Sequence, residues 1–219
     1  MARSLRHRPD RNGSVASLTA SAPVDRNRAT RQLLLGAAAI LLLALARATA
    51  LSVGVSDLVV GAAFGTALLL AAMSVPAVRR RLRGLPAPSS LFLGAALGAT
   101  LLVPGGWMRA HGAIGPGAVV PGVYALAWVP LIALISAGEE ALLRGWMQPL
   151  ARQAWGPGLA IVFVGAVFAA MHVPIYGWVA VPLDLGVGIL FGCLREYSGS
   201  VAACGLAHVL ADLGHWWLP

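Results

Sequence analysis

Apolar runs that are long enough to cross a bilayer recur along this chain and constrain its fold most strongly. The first run covers residues 33–53, and a membrane-spanning helix needs about 20 such residues. The whole chain is 58% hydrophobic and 11% charged, whereas a soluble domain is roughly half apolar and a quarter charged. Because lipid offers no partner for backbone polar groups, helices are the expected structure. The sequence predicts an integral membrane protein of the all-α class.

The pattern of apolar runs predicts a polytopic helix bundle of about seven transmembrane helices. A loop is expected at residues 104–117, with a surface histidine at His111, and a tight turn between Trp155 and Gly156. The predicted spans are residues 33–53, 57–78, 91–103, 119–150, 158–173, 179–194 and 200–218.

The distribution of arginine predicts how the chain lies in the membrane. All 16 basic residues are arginine; seven lie in the first 31 residues and four more at residues 79–83. Basic residues beside spans mark the cytoplasmic side, so we expect a cytoplasmic N-terminus and an external C-terminus. The high content of alanine, glycine and leucine is typical of a GC-rich bacterial genome, so we expect a bacterial inner membrane. Membrane orientation explains the net charge of +8 better than nucleic-acid binding does. We therefore expect membrane lipid as a partner and no nucleic acid, while the oligomeric state stays open.

Three parts of the chain differ in composition. Residues 1–32 are Arg-rich and lack an apolar period, which is typical of a disordered tail. Residues 33–117 are predicted to hold the N-terminal transmembrane helices, including a small-residue face at Gly61 and Gly65 for close helix packing. Residues 118–219 are predicted to form a second transmembrane unit, because the remaining intramembrane ionisable groups lie there.

An acidic pair followed by an arginine interrupts this second unit. Glu140 and Arg144 are four residues apart, so they share one helix face and can neutralise one another. Glu139 is turned roughly 100° away from Glu140, which leaves its carboxylate available for chemistry. The pattern predicts a structural pair beside a functional carboxylate.

Two histidines and an aspartate are expected to meet Glu139 within the bundle. His172 and Glu139 lie equally far from the predicted turn at Trp155, so antiparallel helices bring them to one depth. His208 and Asp212 are four apart and share a face of the last span. Ionisable residues inside spans are functional by default. We interpret Asp184 and His215, by contrast, as packing residues.

Two kinds of water activation suit this set of groups. A carboxylate base assisted by imidazole can deprotonate water, while the second histidine and the aspartate stabilise an oxyanion. Alternatively, Glu139, His172, His208 and Asp212 could hold a divalent metal such as zinc, which acidifies bound water. No cofactor is required by the first reading, and the residues alone do not choose between the two.

Three short motifs carry a resemblance to a known family. Glu139-Glu140 with Arg144, Phe168 with His172, and His208 with Asp212 resemble the EExxxR, FxxxH and HxxxN/D motifs of the CPBP family. These CAAX-protease and bacteriocin-processing (Abi) enzymes are intramembrane proteases. The resemblance covers about residues 119–217, in the family's motif order.

The resemblance implies endoproteolysis of membrane-associated peptides or proteins. It makes Glu139 and His172 the pair that activates water, and His208 and Asp212 the groups that support the transition state. Glu140, Arg144 and Phe168 would then have supporting roles. The aspartate at position 212, where eukaryotic CAAX enzymes carry asparagine, leaves both the glutamate-type and the metal-dependent mechanism open.

A non-catalytic function is the main alternative to a protease. A membrane protein of this kind could act as a bacteriocin-immunity factor or as a scaffold for partner helices. A proton-coupled transporter is less favoured, because the chain shows no inverted repeat. Intact catalytic motifs favour the enzyme.

Overall fold

The structure is a computed structural model that describes residues 25–110 and 122–217, with side chains described for residues 25–103 and 127–214. Within these ranges the chain is helical and contains no strand, which confirms the all-α prediction. The helices are α1 (Arg26–Ser52), α2 (Asp57–Ser74), α3 (Pro76–Leu82), α4 (Pro88–Ala110), α5 (Gly122–Leu142), a π-helix (Leu143–Met147), α6 (Gln148–Trp155), α7 (Pro157–Tyr176), a 3-10 turn (Trp178–Ala180), α8 (Val181–Ser198) and α9 (Val201–Trp217).

Several of these helices can cross a membrane. In the described part of the chain, four segments are long and apolar enough: Arg26–Ser52, Asp57–Ser74, Pro157–Tyr176 and Trp178–Ser198. Two shorter apolar helices, Pro88–Val103 and Val201–Gly214, accompany them. The protein is therefore an integral membrane protein, whereas the predicted number of about seven spans is not confirmed.

The first helix begins earlier than the sequence pattern predicts. Asp25 caps α1, since its carboxylate accepts hydrogen bonds from the backbone N–H groups of Asn27 and Arg28 at 3.0 and 3.2 Å. Such a cap satisfies donors at a helix N-terminus, and arginine favours helix. Residues 26–32 thus belong to α1, and their assignment to a disordered tail was wrong. The rest of that tail, residues 1–24, lies outside the described residues.

Two predicted boundaries around the arginine cluster also differ. Pro76 starts a separate helix, α3, because proline lacks a backbone N–H and suits the first helical position. The predicted span 57–78 therefore ends at Ser74, and the cluster lies on a short helix rather than in a loop. Helix α4 continues to Ala110, so residues 104–110, which were predicted to lie in a loop, are helical. Helix propensity is a weak guide that context overrides. His111 lies outside the described residues.

The turn that aligns the acidic motif with the histidine motif is where the sequence predicts it. Helix α6 ends at Trp155, Gly156 has φ of 86°, and α7 starts at Pro157. A positive φ favours glycine. α5, the π-helix and α6 follow one another up to this turn, and α7 then packs against α6 and the π-helix.

Small residues allow the helices around the site to pack closely. A Cβ at Gly65 would lie 3.1 Å from the Ile135 backbone, and a Cβ at Gly138 would lie 2.7 Å from the carbonyl oxygen of Gly65. The predicted small-residue face of α2 therefore packs on α5. In the same way, a Cβ at Gly188 of α8 would lie 2.8 Å from the Cα of Gly165 in α7.

The α2–α5 contact yields a test of the packing. The Gly138→Ala substitution should lower the melting temperature of the detergent-solubilised protein, because the new methyl group meets backbone and overpacking costs about 1–3 kcal/mol. Gly205→Ala is the matched control, since Gly205 is also helical and a Cβ there meets nothing within 4 Å. Equal melting temperatures of the two variants would contradict the close contact.

Candidate active site

A buried ion pair lies at the junction of α5 and the π-helix. Arg144 is completely buried, and its Nη1 donates to Oε1 of Glu140 at 2.9 Å. Its Nη2 donates to the carbonyl oxygen of Gly188 at 3.0 Å. The Glu140–Arg144 pair expected from the four-residue spacing is therefore present. π-Helical turns occur frequently at functional sites.

Two aromatic rings enclose this arginine. The guanidinium carbon of Arg144 lies 5.1 Å from the ring centre of Phe168 and 5.5 Å from that of Phe191. Cations are attracted to ring faces at such distances. Phe168 of the FxxxH motif thus contacts the buried pair, while Phe191 is a contact that the sequence did not indicate.

His208 lies among three carboxylates. Its Nδ1 is 3.0 Å from Oε1 of Glu140, and because an ionised carboxylate only accepts, Nδ1 is the donor. Its Nε2 is 3.4 Å from Oδ2 of Asp212 and 3.7 Å from Oε2 of Glu139. The same Asp212 oxygen also accepts a hydrogen bond from Ser136 at 3.3 Å. The hydrogen bond from Nδ1 directs Nε2 toward Glu139 and Asp212.

Glu139 keeps one carboxylate oxygen without a hydrogen bond. Glu139 is 2% exposed. Its Oε2 lies 3.7 Å from Nε2 of His208, which is too long for a hydrogen bond. Within the described residues its Oε2 has no hydrogen-bond partner. A buried acceptor that lacks a partner is costly. Oε2 of Glu140 also lacks a hydrogen-bond partner among the described residues, but only Oε2 of Glu139 lies beside Nε2 of His208.

His172 makes no hydrogen bond or ion pair to Glu139, His208 or Asp212. Its Nδ1 is 2.8 Å from the carbonyl oxygen of Phe168, which can only accept, so Nδ1 carries the proton and Nε2 the lone pair of the neutral ring. Its acidic neighbour is Asp184, at 4.0 Å, and no ion pair joins His172 to Glu139. The Phe168 ring connects the two histidines, with centres 4.7 Å from His172 and 5.4 Å from His208.

The sequence thus predicted part of this constellation. Glu139, His208 and Asp212 meet at one point, as expected, with His172 nearby rather than in the same cluster. Asp184, interpreted as a packing residue, has a buried oxygen without a hydrogen-bond partner among the described residues and faces His172. The side chain of His215 lies outside the described ones. Contacts that the sequence did not indicate come from Ser136, Phe191 and the carbonyl oxygen of Gly188.

The donor groups do not form a metal site as they are arranged. A catalytic zinc takes three protein ligands, and no three His, Cys, Asp or Glu side chains in the described part of the chain are placed to hold an ion. Nδ1 is hydrogen-bonded in both His172 and His208. The cluster consists of carboxylates, histidines and an arginine.

One comparison with known proteins gives a match. Residues 121–214 match the family model described as type II CAAX prenyl endopeptidase Rce1-like. We call residues 121–214 the Rce1-like region, after the family model that they resemble. The match confirms the resemblance that the three motifs indicate, and the Rce1-like region contains the whole cluster from Ser136 to Asp212. Helices α1 to α4 lie outside the match. Neither the curated proteins nor the solved structures give a significant match.

The buried pair in the Rce1-like region gives a stability prediction. Arg144→Ala should destabilise the protein by about 3–5 kcal/mol, because it leaves the carboxylate of Glu140 buried without its cation. Arg152→Ala is the control: Arg152 pairs with Glu196 at 3.3 Å but is 61% exposed, so about 0–1 kcal/mol is expected. Thermal unfolding in one detergent measures both. A small effect of Arg144→Ala would contradict a structural role.

Proposed function

We propose that the protein is an intramembrane endopeptidase that hydrolyses peptide bonds of membrane-associated peptides or proteins. The observation that carries this proposal is the buried Oε2 of Glu139, which has no hydrogen-bond partner among the described residues and lies beside Nε2 of His208. The match of this region to an endopeptidase family supports the same reaction class.

In the proposed reaction Glu139 acts as the general base. Its Oε2 takes a proton from water while the water oxygen attacks the carbonyl carbon of the scissile peptide bond. The proton then passes from Glu139 to the leaving nitrogen, and the carbon–nitrogen bond breaks to give an acid and an amine. A positioned carboxylate contributes typically 10²–10⁴-fold in such proton transfers.

His208 and Asp212 are proposed to support the transition state. When protonated, Nε2 of His208 can donate a hydrogen bond to the oxyanion that forms on the substrate carbonyl. Asp212, at 3.4 Å, favours the charged ring, and Ser136 holds the Asp212 carboxylate. Glu140, fixed by Arg144, holds the other ring nitrogen of His208 and so sets the direction of Nε2.

His172 is proposed to orient the water or the substrate through Nε2. Its Nδ1 proton is held by the Phe168 carbonyl oxygen, which leaves Nε2 as an acceptor in the neutral ring. Asp184 lies 4.0 Å from the ring and stabilises any positive charge that develops on it. His172 therefore joins Glu139 as the second group of the water-activating pair, although the two do not touch.

We propose that the protein lies in the cytoplasmic membrane of a bacterium, with its N-terminus in the cytoplasm. The arginines on α3, between α2 and α4, support this orientation. Because the matching family is described as a type II CAAX prenyl endopeptidase, prenylated CAAX sequences are one candidate substrate.

The Glu139→Gln substitution tests the function directly. It preserves the shape of the side chain but removes the base, so cleavage of a membrane-anchored reporter peptide by the purified protein should fall at least 10²-fold. The control is Glu196→Gln, which changes a carboxylate outside the catalytic cluster. Full cleavage by Glu139→Gln would show that Glu139 is not the base. No cleavage by the unmodified protein would favour a binding function over proteolysis.

Chelation separates the two mechanisms of water activation. Because Glu139 itself takes the proton in the proposed reaction, dialysis against a strong chelator should leave the cleavage rate unchanged within about twofold. Metal content of the same preparation is measured in parallel. Loss of activity that returns on addition of zinc would favour the metal-dependent alternative.

A further inference from the structure

Two arginines from separate helices converge on the π-helix from outside the catalytic cluster. Nη1 of Arg81, on α3, donates to the carbonyl oxygen of Gly145 at 3.0 Å. Nε of Arg195, in the last turn of α8, donates to the carbonyl oxygen of Arg144 at 3.2 Å. Because the two acceptor carbonyls belong to the consecutive residues Arg144 and Gly145, both guanidinium groups bind the same turn of the π-helix.

The positive charges of Arg80, Arg81 and Arg195 lie near one another beside the π-helix without an acidic partner among the described residues. Partial burial, together with the charges of Arg195 and Arg80, lowers the pKa of Arg81 below its ordinary value. Within the described residues, none of these three arginines has a carboxylate within 4.0 Å. Glu196, which follows Arg195 directly, pairs instead with Arg152 and accepts a hydrogen bond from Gln148.

The two guanidinium groups retain free donors. A guanidinium carries five N–H donors, and Arg81 and Arg195 each use one in a hydrogen bond to a described residue. Planar arginine donors match phosphate oxygens in pairs. Repulsion between like charges and unused donors together favour a ligand that is an anion with several oxygens.

The location indicates which anion is at hand. α3, which carries Arg81, follows α2, and α2 is long and apolar enough to span the membrane. Arg195 lies in the last turn of Trp178–Ser198, a second segment that is long and apolar enough to span the membrane. Span ends lie at the level of the lipid headgroups, where basic residues attract anionic lipid. A lipid phosphate is therefore available to both arginines.

We propose that Arg81 and Arg195 form a binding site for the phosphate group of an anionic membrane lipid. A lipid bound there neutralises the two arginines while they hold the carbonyl oxygens of Arg144 and Gly145. It thereby stabilises the π-helix that carries Arg144, the partner of Glu140. The binding step is independent of catalysis; any effect of the lipid on cleavage rests on the proposed function.

Thermal unfolding in nanodiscs tests the site without an activity assay. The unmodified protein should melt several degrees higher in nanodiscs that contain phosphatidylglycerol than in phosphatidylcholine alone. Arg81→Gln and Arg195→Gln should lose most of this increase. Arg83→Gln is the matched control, because Arg83 follows the same helix but makes no hydrogen bond to the π-helix, and it should keep the increase.

Several outcomes would overturn the proposal. One is an increase that persists in both Arg81→Gln and Arg195→Gln, and another is an increase that Arg83→Gln loses equally, which would indicate unspecific attraction. An increase produced in phosphatidylcholine by inorganic phosphate alone would show a free-phosphate site rather than a lipid site. If Arg195→Gln does not fold, Arg80→Gln replaces it, because Arg80 adds to the positive charge at Arg81. Arg80→Gln should lose part of the increase in melting temperature that phosphatidylglycerol gives. An undiminished increase in this variant would contradict the site.

Discussion

The ion pair between Glu140 and Arg144 is the constraint on which the rest of the C-terminal region depends. Both groups are fully buried, and a charge inside a membrane protein persists only where it is paired and hydrogen-bonded. The carbonyl oxygen of Gly188 and the ring of Phe168 therefore surround the guanidinium. The second partner of the Glu140 carboxylate is His208, so the need to satisfy one buried pair also fixes the orientation of a histidine.

Close helix packing makes this arrangement sterically possible. The carbonyl oxygen of Gly188 lies within reach of Arg144 where α8 approaches α7 through the facing glycines Gly165 and Gly188. On the other side, Gly65 lets α2 approach α5 at Gly138, directly before Glu139. Helix α2 lies outside the Rce1-like match, yet it supports the helix that carries the acidic motif. The N-terminal half thus contributes packing, and the C-terminal half contains the cluster of buried ionisable groups.

Local patterns explain what the sequence could predict. Spacing of four residues within one helix identifies both the Glu140–Arg144 pair and the His208–Asp212 pair, since helix geometry alone decides such contacts. Contacts between helices also depend on how each helix is rotated. Equal distance from the turn at Trp155 predicts only the depth of Glu139 and His172. It does not predict the rotation of the helix that turns His172 toward Asp184. The π-helix depends on tertiary context in the same way, whereas the break before Pro76 follows from proline itself.

A double-mutant cycle tests the central claim that Glu140 and Arg144 act as one buried unit. Glu140→Gln and Arg144→Gln are made singly and together, and the free energy of unfolding is measured for all four proteins. Each single change leaves the other charge buried alone, so we predict that the double variant is more stable than the sum of the single losses implies, by about 1–3 kcal/mol. Additive losses would show that the two residues do not depend on each other and would contradict the account.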